Sequence, residues 1–527
     1  MSRRTWTLIA VVLGSGIVFL DSTIVNVALR AIGEQLPASL VGTLEGQSYV
    51  VNGYLLTLSA LLILAGALAD RYGRRRFFII GLSGFGVASL VCGLAPNMEL
   101  LILARLAQGA FGALLVPTSL ALINATFDGA ERGWAFGVWA AATSAFFVAG
   151  PVVGGVLIDT FDWRVAFLIN VPLVAIGVAI AVGLVAESRN EEAAGGFDWL
   201  GAVVVALAVG GLSYGAIRGQ ERQWADPSAW AALVVGAAAT ASLVPLMRSR
   251  PNPLVPPSLF SSRNFTVTNL STLLVYGALY ALSYFQAVFL QGTLGYSALA
   301  SGLTNVPTGL ALAFLSTTFG ALAGRYGPRR FMAIGPAIMA IGLLWFLRLP
   351  ASSEAWLAAV GNPASLVPPA SFVIDVLPAM VLFGAGISML VAPLTTALMT
   401  SVPVGNSGLA SAINNAISRI GPLLATSVIF IAVSTAFYAS LADRAPSVDV
   451  SLPEVREQVS PLNAPRRDAD AELKEGARGA STDAFHLAML IAALLCASGA
   501  AVNWVGIQDP QAGPAHQDEA ERAAGAA

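Results

Sequence analysis

The sequence has few of the residues that soluble enzymes and nucleic-acid-binding proteins rely on. Only 11% of its 527 residues are charged, against about 25% in soluble domains. Its net charge of -2 provides no basic surface for nucleic acid. Two histidines and two cysteines, Cys92 and Cys496, form neither a metal-binding spacing nor a disulfide framework. With no catalytic cluster in view, we expect neither an enzyme nor a bound cofactor or metal.

Apolar residues are abundant instead, at 56% of the chain. A helix needs roughly 20 apolar residues to span a bilayer. The first run contains Asp21 and no cleavage site follows it, so we expect it to be retained rather than removed as a signal peptide. The sequence predicts an all-α, multi-pass protein of the cell membrane with fourteen spans, at about 6–29, 46–69, 77–95, 99–125, 134–158, 165–186, 197–217, 227–247, 265–291, 298–323, 331–348, 372–399, 406–440 and 484–506.

The arginines set the orientation of these spans, because positive residues favour cytoplasmic loops. With the N-terminus inside, short inside loops hold fourteen arginines and short outside loops hold five. Both termini are therefore predicted to be cytoplasmic. The polar segment 441–482 is then predicted to be an external, mobile loop, and 507–527 a disordered cytoplasmic tail.

One charged stretch occurs twice. The sequence GALADRYGRRR at 66–76, the first basic turn, returns as GALAGRYGPRR at 320–330, the second basic turn. Each joins the second and third helices of a six-helix half if two helices between the halves are set aside. The predicted organisation is an N-terminal six-helix bundle at 1–190, two inserted helices within 191–255 and a C-terminal six-helix bundle at 256–506. Parallel halves of this kind surround a midplane site in transporters.

Several further segments carry a family resemblance: LDSTIVNVAL (20–29), RLAQG (105–109), GPVVGG (150–155), WRVAFLINVP (163–172) and GLASAINNAISRIG (408–421). With the first basic turn, the chain resembles the fourteen-helix drug:proton antiporter branch of the major facilitator superfamily. The resemblance implies export of small lipophilic or cationic compounds by alternating access, driven by protons and carried out by a monomer in the bilayer. Arg30 and Tyr49 depart from the branch, which usually has Pro and often Trp there.

The first basic turn has two interpretations. Its arginines could simply hold a short loop inside, but Asp70 adds nothing to that bias. An acid at a helix end can pair with a cation or a helix N-terminus across the seam between the halves. The resemblance implies a gate formed by Gly66, Asp70, Arg71, Gly73, Arg74 and Arg75. Because Gly324 replaces the acid in the second basic turn, we expect the lock on one side only.

Two charges lie deep in apolar runs. An ionised Asp21 in the first helix costs about 2.5–3.5 kcal/mol on insertion scales, so it should face protein or water. It could serve as a structural partner of Thr23 or Asn26, or as a group that takes up and releases a proton. Arg105 could reach a lipid headgroup, or it could hold Asp21. We expect Asp21 and Arg105 to carry the proton coupling.

Small residues mark the fifth helix at Gly150, Pro151, Gly154 and Gly155. Small residues let helices approach closely, and proline bends a helix. The pattern is typical of packing, and the resemblance ties it to antiport.

Candidate cavity residues lie in two later helices. Three tyrosines recur every four residues, on one helix face, where they could form an aromatic wall or pack between helices. Two asparagines in the thirteenth predicted helix could contact substrate or join helices. The candidates are Tyr276, Tyr280, Tyr284, Gln286, Asn414 and Asn415. The sequence assigns no chemical role to Asp375 or Arg419.

Alternative functions remain open at this level. The transporter could export one metabolite, antibiotic or lipid rather than many compounds. A membrane sensor that does not transport is the least favoured interpretation, because the gate and antiporter motifs are complete.

Overall fold

The computed structural model describes residues 2–37, 43–189, 196–221, 224, 226–359, 361–450, 452, 455, 458–465 and 469–509. Within these residues, sixteen α-helices form the frame. They are α1 (Arg3–Gln35), α2 (Thr43–Tyr72), α3 (Arg74–Gly93), α4 (Met98–Thr126), α5 (Gly129–Thr160), α6 (Val165–Leu168), α7 (Asn170–Leu184), α8 (Trp199–Glu221), α9 (Pro227–Ser249), α10 (Arg263–Gly292), α11 (Ala298–Leu303), α12 (Val306–Tyr326), α13 (Pro328–Trp345), α14 (Leu377–Thr400), α15 (Ser407–Arg444) and α16 (Ala471–Gly506).

Each predicted apolar run coincides with a helix or with two consecutive helices. Within the described residues, thirteen helical stretches are long and apolar enough to cross a membrane, and α5 adds a helix of 32 residues over the fifth run. Helices suit this role because every backbone polar group is satisfied within the segment. No strand occurs among the described residues, apart from an isolated bridge between Ala359 and Asn362.

Buried apolar side chains form three separate cores. One lies entirely within residues 267–507, in the C-terminal bundle. A second lies within residues 24–169, in the outer half of the N-terminal bundle. The third, which we call the cytoplasmic core, combines side chains of both bundles, among them Leu62 and Ile123 with Leu409 and Ile413. The bundles are therefore joined by a shared apolar core at the end that the arginines assign to the cytoplasm.

The two basic turns share their local geometry. Gly73 and Gly327 have φ values of 119° and 85°, which side chains rarely adopt. In each bundle an acid three residues beyond the last helix caps the helix that follows the turn: Glu187 accepts from the Arg75 N–H at 3.0 Å, and Asp509 from the Arg329 N–H at 3.0 Å. The two halves therefore share this capping contact as well as the repeated turn, although the two acids lie outside the repeated sequence.

The two inserted helices form a hairpin. Glycines let α8 and α9 approach closely, since a Cβ on Gly211 would lie 2.9 Å from Gly236 Cα. The base of the hairpin is tied by Asp198, whose carboxylate accepts from the N–H groups of Gly201 (2.9 Å) and Leu254 (3.2 Å). Helix α8 packs against both α2 and α15, so the hairpin covers one side of the seam between the bundles.

The predicted external loop 441–482 is shorter in the structure than in the sequence analysis. Helix α15 continues to Arg444 and α16 begins at Ala471. Part of the connection is anchored rather than mobile, because Val459 and Leu462 are buried in the core of the C-terminal bundle and the Leu462 carbonyl accepts from Thr293 Oγ1 at 3.0 Å. Of the predicted tail at 507–527, residues 510–527 lie outside the described residues.

Candidate coupling site and cytoplasmic gate

Asp21 and Arg105 meet inside the N-terminal bundle. Arg105 Nη1 lies 2.6 Å from Asp21 Oδ2, and both side chains are almost completely buried. Helix α1 supplies the acid and α4 the base. Thr23, a partner considered for Asp21 from the sequence, donates instead to the carbonyls of Phe19 and Leu20, and the side chain of Asn26 lies outside the described part. The structure thus pairs the two charges that the sequence analysis singled out.

Three uncharged polar side chains complete what we call the coupling cluster. Gln108 Nε2 donates to Asp21 Oδ1 at 3.0 Å and to Ser89 Oγ at 2.6 Å. Asn170 Nδ2 donates to Asp21 Oδ1 at 3.0 Å and to Ser89 Oγ at 3.2 Å. The sequence analysis missed these residues, although RLAQG contains Gln108 and WRVAFLINVP contains Asn170. Ser89 offered no comparable signal.

Arg105 is held by groups other than Asp21. Its Nε donates to the Val50 carbonyl at 2.9 Å, and Nη1 also donates to Gln108 Oε1 at 2.6 Å. The guanidinium lies 4.1 Å from the centre of the Tyr54 ring, within cation–π range. Arg105 is therefore anchored to α2 and α4 by contacts that do not involve Asp21.

Asp70 closes the cytoplasmic end through the first turn of α15. Its carboxylate accepts from the N–H groups of Gly408 (3.2 Å) and Leu409 (2.8 Å), and Arg74 Nε donates to it at 2.8 Å. Free N–H groups and the helix dipole make a helix N-terminus attractive to an anion. The contact joins residues more than 330 positions apart, in opposite bundles. This is the geometry expected for a lock across the seam.

Arg74 and Gly66 add to this lock. Arg74 Nη2 donates to the carbonyls of Val404 (2.6 Å) and Gly405 (3.3 Å), so the guanidinium also crosses the seam. A Cβ on Gly66 would lie 2.6 Å from the Gly408 carbonyl oxygen, closer than real Cβ atoms come. Glycine is required there because α2 and α15 touch through their backbones. We call these contacts of Gly66, Asp70 and Arg74 with α15 and its leading turn the cytoplasmic lock.

Two other gate candidates, Gly73 and Arg75, make contacts within the N-terminal bundle. Arg75 donates to the carbonyls of Ala181 and Val182 at the end of α7. Gly73 provides the positive φ, and a Cβ there would lie 2.9 Å from the Glu187 carboxyl carbon. The Arg71 guanidinium lies 5.7 Å from the Tyr72 ring centre. The structure therefore separates Arg74, which reaches the opposite bundle, from Arg75, which stays in its own.

A second close approach joins α5 and α12. A Cβ on Gly137 would lie 3.2 Å from Thr317 Cα, and Gly133 and Gly320 face each other. These positions lie near the start of α5 and the end of α12, both cytoplasmic by the arginine distribution. Together with the cytoplasmic core and the lock, they close the inner end of the seam. The structure is thus that of a molecule shut towards the cytoplasm.

The small residues of α5 pack on α1. A Cβ on Gly154 would lie 2.7 Å from Ile24 Cγ1, and one on Gly150 would overlap Thr23 Oγ1. Helix α5 thus lies against the helix that carries Asp21. Pro151 and Gly155 are in the same helix, but their surroundings lie outside the described part.

The cavity candidates divide into two groups. Gln286 is buried and donates to Thr304 Oγ1 at 3.0 Å, while Asn414 donates to Asn269 Oδ1 (3.1 Å) and Thr272 Oγ1 (2.7 Å) on α10. Asn414 thus joins α15 to α10, and Gln286 joins α10 to the turn between α11 and α12. The other four candidates keep some exposed surface: Tyr280 and Tyr284 are exposed, and Tyr276 and Asn415 are partly buried.

Comparisons with known proteins place the chain in a family. The model of the Major Facilitator Superfamily matches residues 11–426. Multidrug resistance protein Stp of Mycobacterium tuberculosis (strain CDC 1551 / Oshkosh) is 35% identical over 424 residues, covering 80% of this chain and 74% of Stp. Puromycin resistance protein pur8 of Streptomyces alboniger is 32% identical over 451 residues, covering 84% of this chain and 85% of pur8.

The fold is shared with solved structures. The proton:xylose symporter XylE aligns with a TM-score of 0.56 at 15% identity, over 96% of each chain. The family resemblance drawn from the motifs and the predicted helical membrane fold are therefore confirmed. This chain belongs to the Major Facilitator Superfamily.

Proposed function

We propose that this protein is a proton-coupled antiporter that exports small lipophilic or cationic compounds from the cell by alternating access. The observation that carries the proposal is the buried pair of Asp21 and Arg105 in a molecule whose seam is locked at the cytoplasmic end. The resistance proteins among its relatives support a role in efflux.

The proton step takes place on Asp21. Protonation removes its negative charge, so the bonds from Arg105, Gln108 and Asn170 lose their charge-assisted strength. These donors lie on α4 and α7, so a change in the charge of Asp21 alters hydrogen bonds that join α1 to both of these helices. A proton that falls through about 100 mV supplies about 2.3 kcal/mol, and each unit of pH gradient adds about 1.4 kcal/mol.

The gating step takes place at the cytoplasmic lock. Substrate from the cytoplasm can enter only when Asp70 leaves the N–H groups of Gly408 and Leu409. The lock has to be strong enough to close and weak enough to break in each cycle. Hydrogen bonds to a charged group contribute about 1.5–3 kcal/mol each, an amount that proton entry can offset.

Purified protein in liposomes tests the proposal directly. An imposed pH gradient should drive a lipophilic fluorescent dye across the membrane, and dye movement should release protons that a trapped pH indicator reports. Asp21→Asn should bind dye but lose the response to the gradient. The matched control is Asp375→Asn, which removes an acid bound to Ser353 outside the coupling cluster and should transport normally. Transport by Asp21→Asn with an unchanged gradient response would contradict the assignment.

A dedicated exporter is the second candidate. It is favoured by relatives named after one antibiotic, such as the tetracenomycin C resistance and export protein of Streptomyces glaucescens. Growth of an efflux-deficient host on a panel of unrelated compounds separates the two candidates. Broad resistance that an uncoupler abolishes supports multidrug export, while protection against a single compound supports the dedicated exporter.

We further propose that the protein works as a monomer in the cell membrane. One chain contains both bundles, the coupling cluster and the lock, so no second copy is needed to complete them. Reconstitution at one protein per liposome should leave the transport rate per protein unchanged.

A further inference from the structure

Three charged residues lie away from the ends of the predicted apolar runs: Asp21, Arg105 and Arg419. Charged residues at such depth are costly and face protein or water-filled space rather than lipid. The first two neutralise each other through their ion pair. Arg419 is left over, so the centre of the molecule carries one net positive charge.

Arg419 has no polar partner in the described part of the protein. Its Nε–H is fully buried and donates to no described group. The rest of the side chain is partly exposed. This differs from Arg105, which is bonded to Asp21, Gln108 and the Val50 carbonyl. A guanidinium carries five donors, and those of Arg419 are unused.

Arg419 lies on the stretch of α15 that packs against the cytoplasmic core. On α15, Ile413 and Ala416 belong to the cytoplasmic core, and Ile417 and Ile420 pack against it. Arg419 lies at the same level, within electrostatic range of the Tyr54 hydroxyl, as Arg105 does. Tyr54 is itself buried beside the coupling cluster. Arg419 therefore brings a free cation from the C-terminal bundle to the central region where the N-terminal bundle holds its ion pair.

The polar residues next to Arg419 along α15 are uncharged. Asn415 and Ser418 are partly buried, and both use their donors on carbonyls of their own helix. Neither carries a charge. These neighbours on α15 therefore supply no anion for Arg419, and no ion pair of Arg419 occurs within the described residues.

We propose that Arg419 is the binding residue for an acidic group on the exported compound, so that amphiphilic organic anions are preferred substrates. This rests on the proposed export function and narrows its substrates: of the lipophilic or cationic compounds proposed there, it selects lipophilic compounds with a carboxylate, phosphate or sulfonate and disfavours permanent cations. An unpaired guanidinium binds such groups through two parallel hydrogen bonds. A permanent cation would meet uncompensated positive charge at the same place.

Equilibrium binding to the full-length protein tests this without any proton gradient. The probes are three tritiated compounds with one ring system: 1-pyrenebutyrate, its neutral amide and a pyrenebutyl-trimethylammonium ion. The protein is placed in nanodiscs of phosphatidylcholine, which carries no net charge. We expect wild-type protein to bind the butyrate about ten- to a hundredfold more tightly than the amide, the range that a charge-assisted bond supplies.

Three variants test whether Arg419 causes the preference for the butyrate. Arg419→Gln should bind the amide as wild type does, which shows that it is folded, and should lose the preference for the butyrate. Arg419→Lys should keep part of the preference, because lysine retains the charge but not the planar pair of donors. Arg325→Gln removes an arginine at the exposed cytoplasmic end of α12, and should keep the full preference.

The outcomes decide the proposal. A butyrate preference that survives in Arg419→Gln, or a wild type that binds amide and butyrate equally or binds neither, overturns it. Adding phosphatidylglycerol to the nanodiscs identifies the source of the anion: competition in wild type alone would mean that a lipid headgroup, not an exported compound, occupies Arg419. Loss of gradient-driven transport with the preference intact would refute the proposed function and leave this inference standing.

Discussion

At the scale of single residues, the buried charges form a mutually dependent set. Asp21 accepts bonds from Arg105, Gln108 and Asn170 on two other helices. The sequence identified the acid and the arginine because charges stand out in apolar runs. It did not identify Gln108 and Asn170 as their partners, because uncharged polar residues are common in membrane helices and only the packing of α4 and α7 brings these two to Asp21.

The ion pair between Asp21 and Arg105 predicts how single and double substitutions change the thermal stability. Removing one partner leaves the other charge buried and unpaired, which costs about 3–5 kcal/mol. We expect Asp21→Asn and Arg105→Gln each to lower the thermal midpoint in detergent, and the double variant to lose less than the sum of the two. Arg348→Gln, at an exposed arginine against Trp345, serves as the control. Additive losses would show that the two side chains do not interact.

The contacts of Asp70 predict that its substitution impairs transport and leaves folding intact. Asparagine keeps one oxygen for the α15 N–H groups but loses the charge that binds Arg74 and the helix N-terminus. We expect Asp70→Asn to insert normally and to transport at least about tenfold more slowly, as the loss of one charge-assisted bond implies. Efflux assays and membrane fractionation measure the two properties. Efflux at the wild-type rate would refute the lock.

At the scale of helices, the two basic turns are alike in sequence and different in contact. Gly66 touches the Gly408 carbonyl on α15, whereas a Cβ on Gly324 would meet nothing within 4 Å. Both turns begin a helix whose N-terminus is capped by an acid from the end of the same bundle. Capping is thus common to both halves, while the contact with the opposite bundle is made by Gly66 of the first turn and not by Gly324, which takes the place of the acid in the second turn.

This difference gives a matched pair of variants. Gly66→Ala places a methyl group 2.6 Å from the Gly408 oxygen, and overpacking of this kind costs about 1–3 kcal/mol. Because the strain exists only while α2 and α15 touch, we expect Gly66→Ala to favour opening towards the cytoplasm and to slow efflux. Gly324→Ala should leave efflux unchanged. Labelling of an introduced cysteine from the cytoplasmic side reports the opening, and equal labelling of both variants would contradict the expectation.

At the scale of the whole molecule, the apolar cores describe the conformation. Two cores each stay within one bundle, while the cytoplasmic core is built from both. Movement of the bundles must therefore break the cytoplasmic core and can leave the other two intact. The inserted hairpin lies on the α2–α15 side of this seam, and Arg218 Nη1 holds it to Tyr49 on α2 at 3.1 Å.

A disulfide across the inner seam should stop transport. Cysteines at Gly137 and Thr317 join α5 to α12, where a Cβ at the first position lies 3.2 Å from the Cα of the second. We expect oxidation to abolish efflux and a reductant to restore it. The control pair, Gly211→Cys with Gly236→Cys, joins the two inserted helices and should leave efflux intact. The native cysteines are both buried and unpaired. Full efflux with the seam cross-linked would exclude rocking of the bundles about it.

The sequence by itself predicted fourteen spans, their orientation and an internal repeat, and it identified the family, because apolar length, arginine placement and motif spacing are local properties of the chain. The tertiary structure decided the partners. It showed that Asp70 binds a helix start more than 330 residues away, that Arg74 and not Arg75 crosses the seam, and that Asn414 and Gln286 join helices. It also showed that, of the three deep charges, Arg419 is the one without a polar partner among the described residues. Such pairings depend on how distant helices pack, which no local pattern encodes.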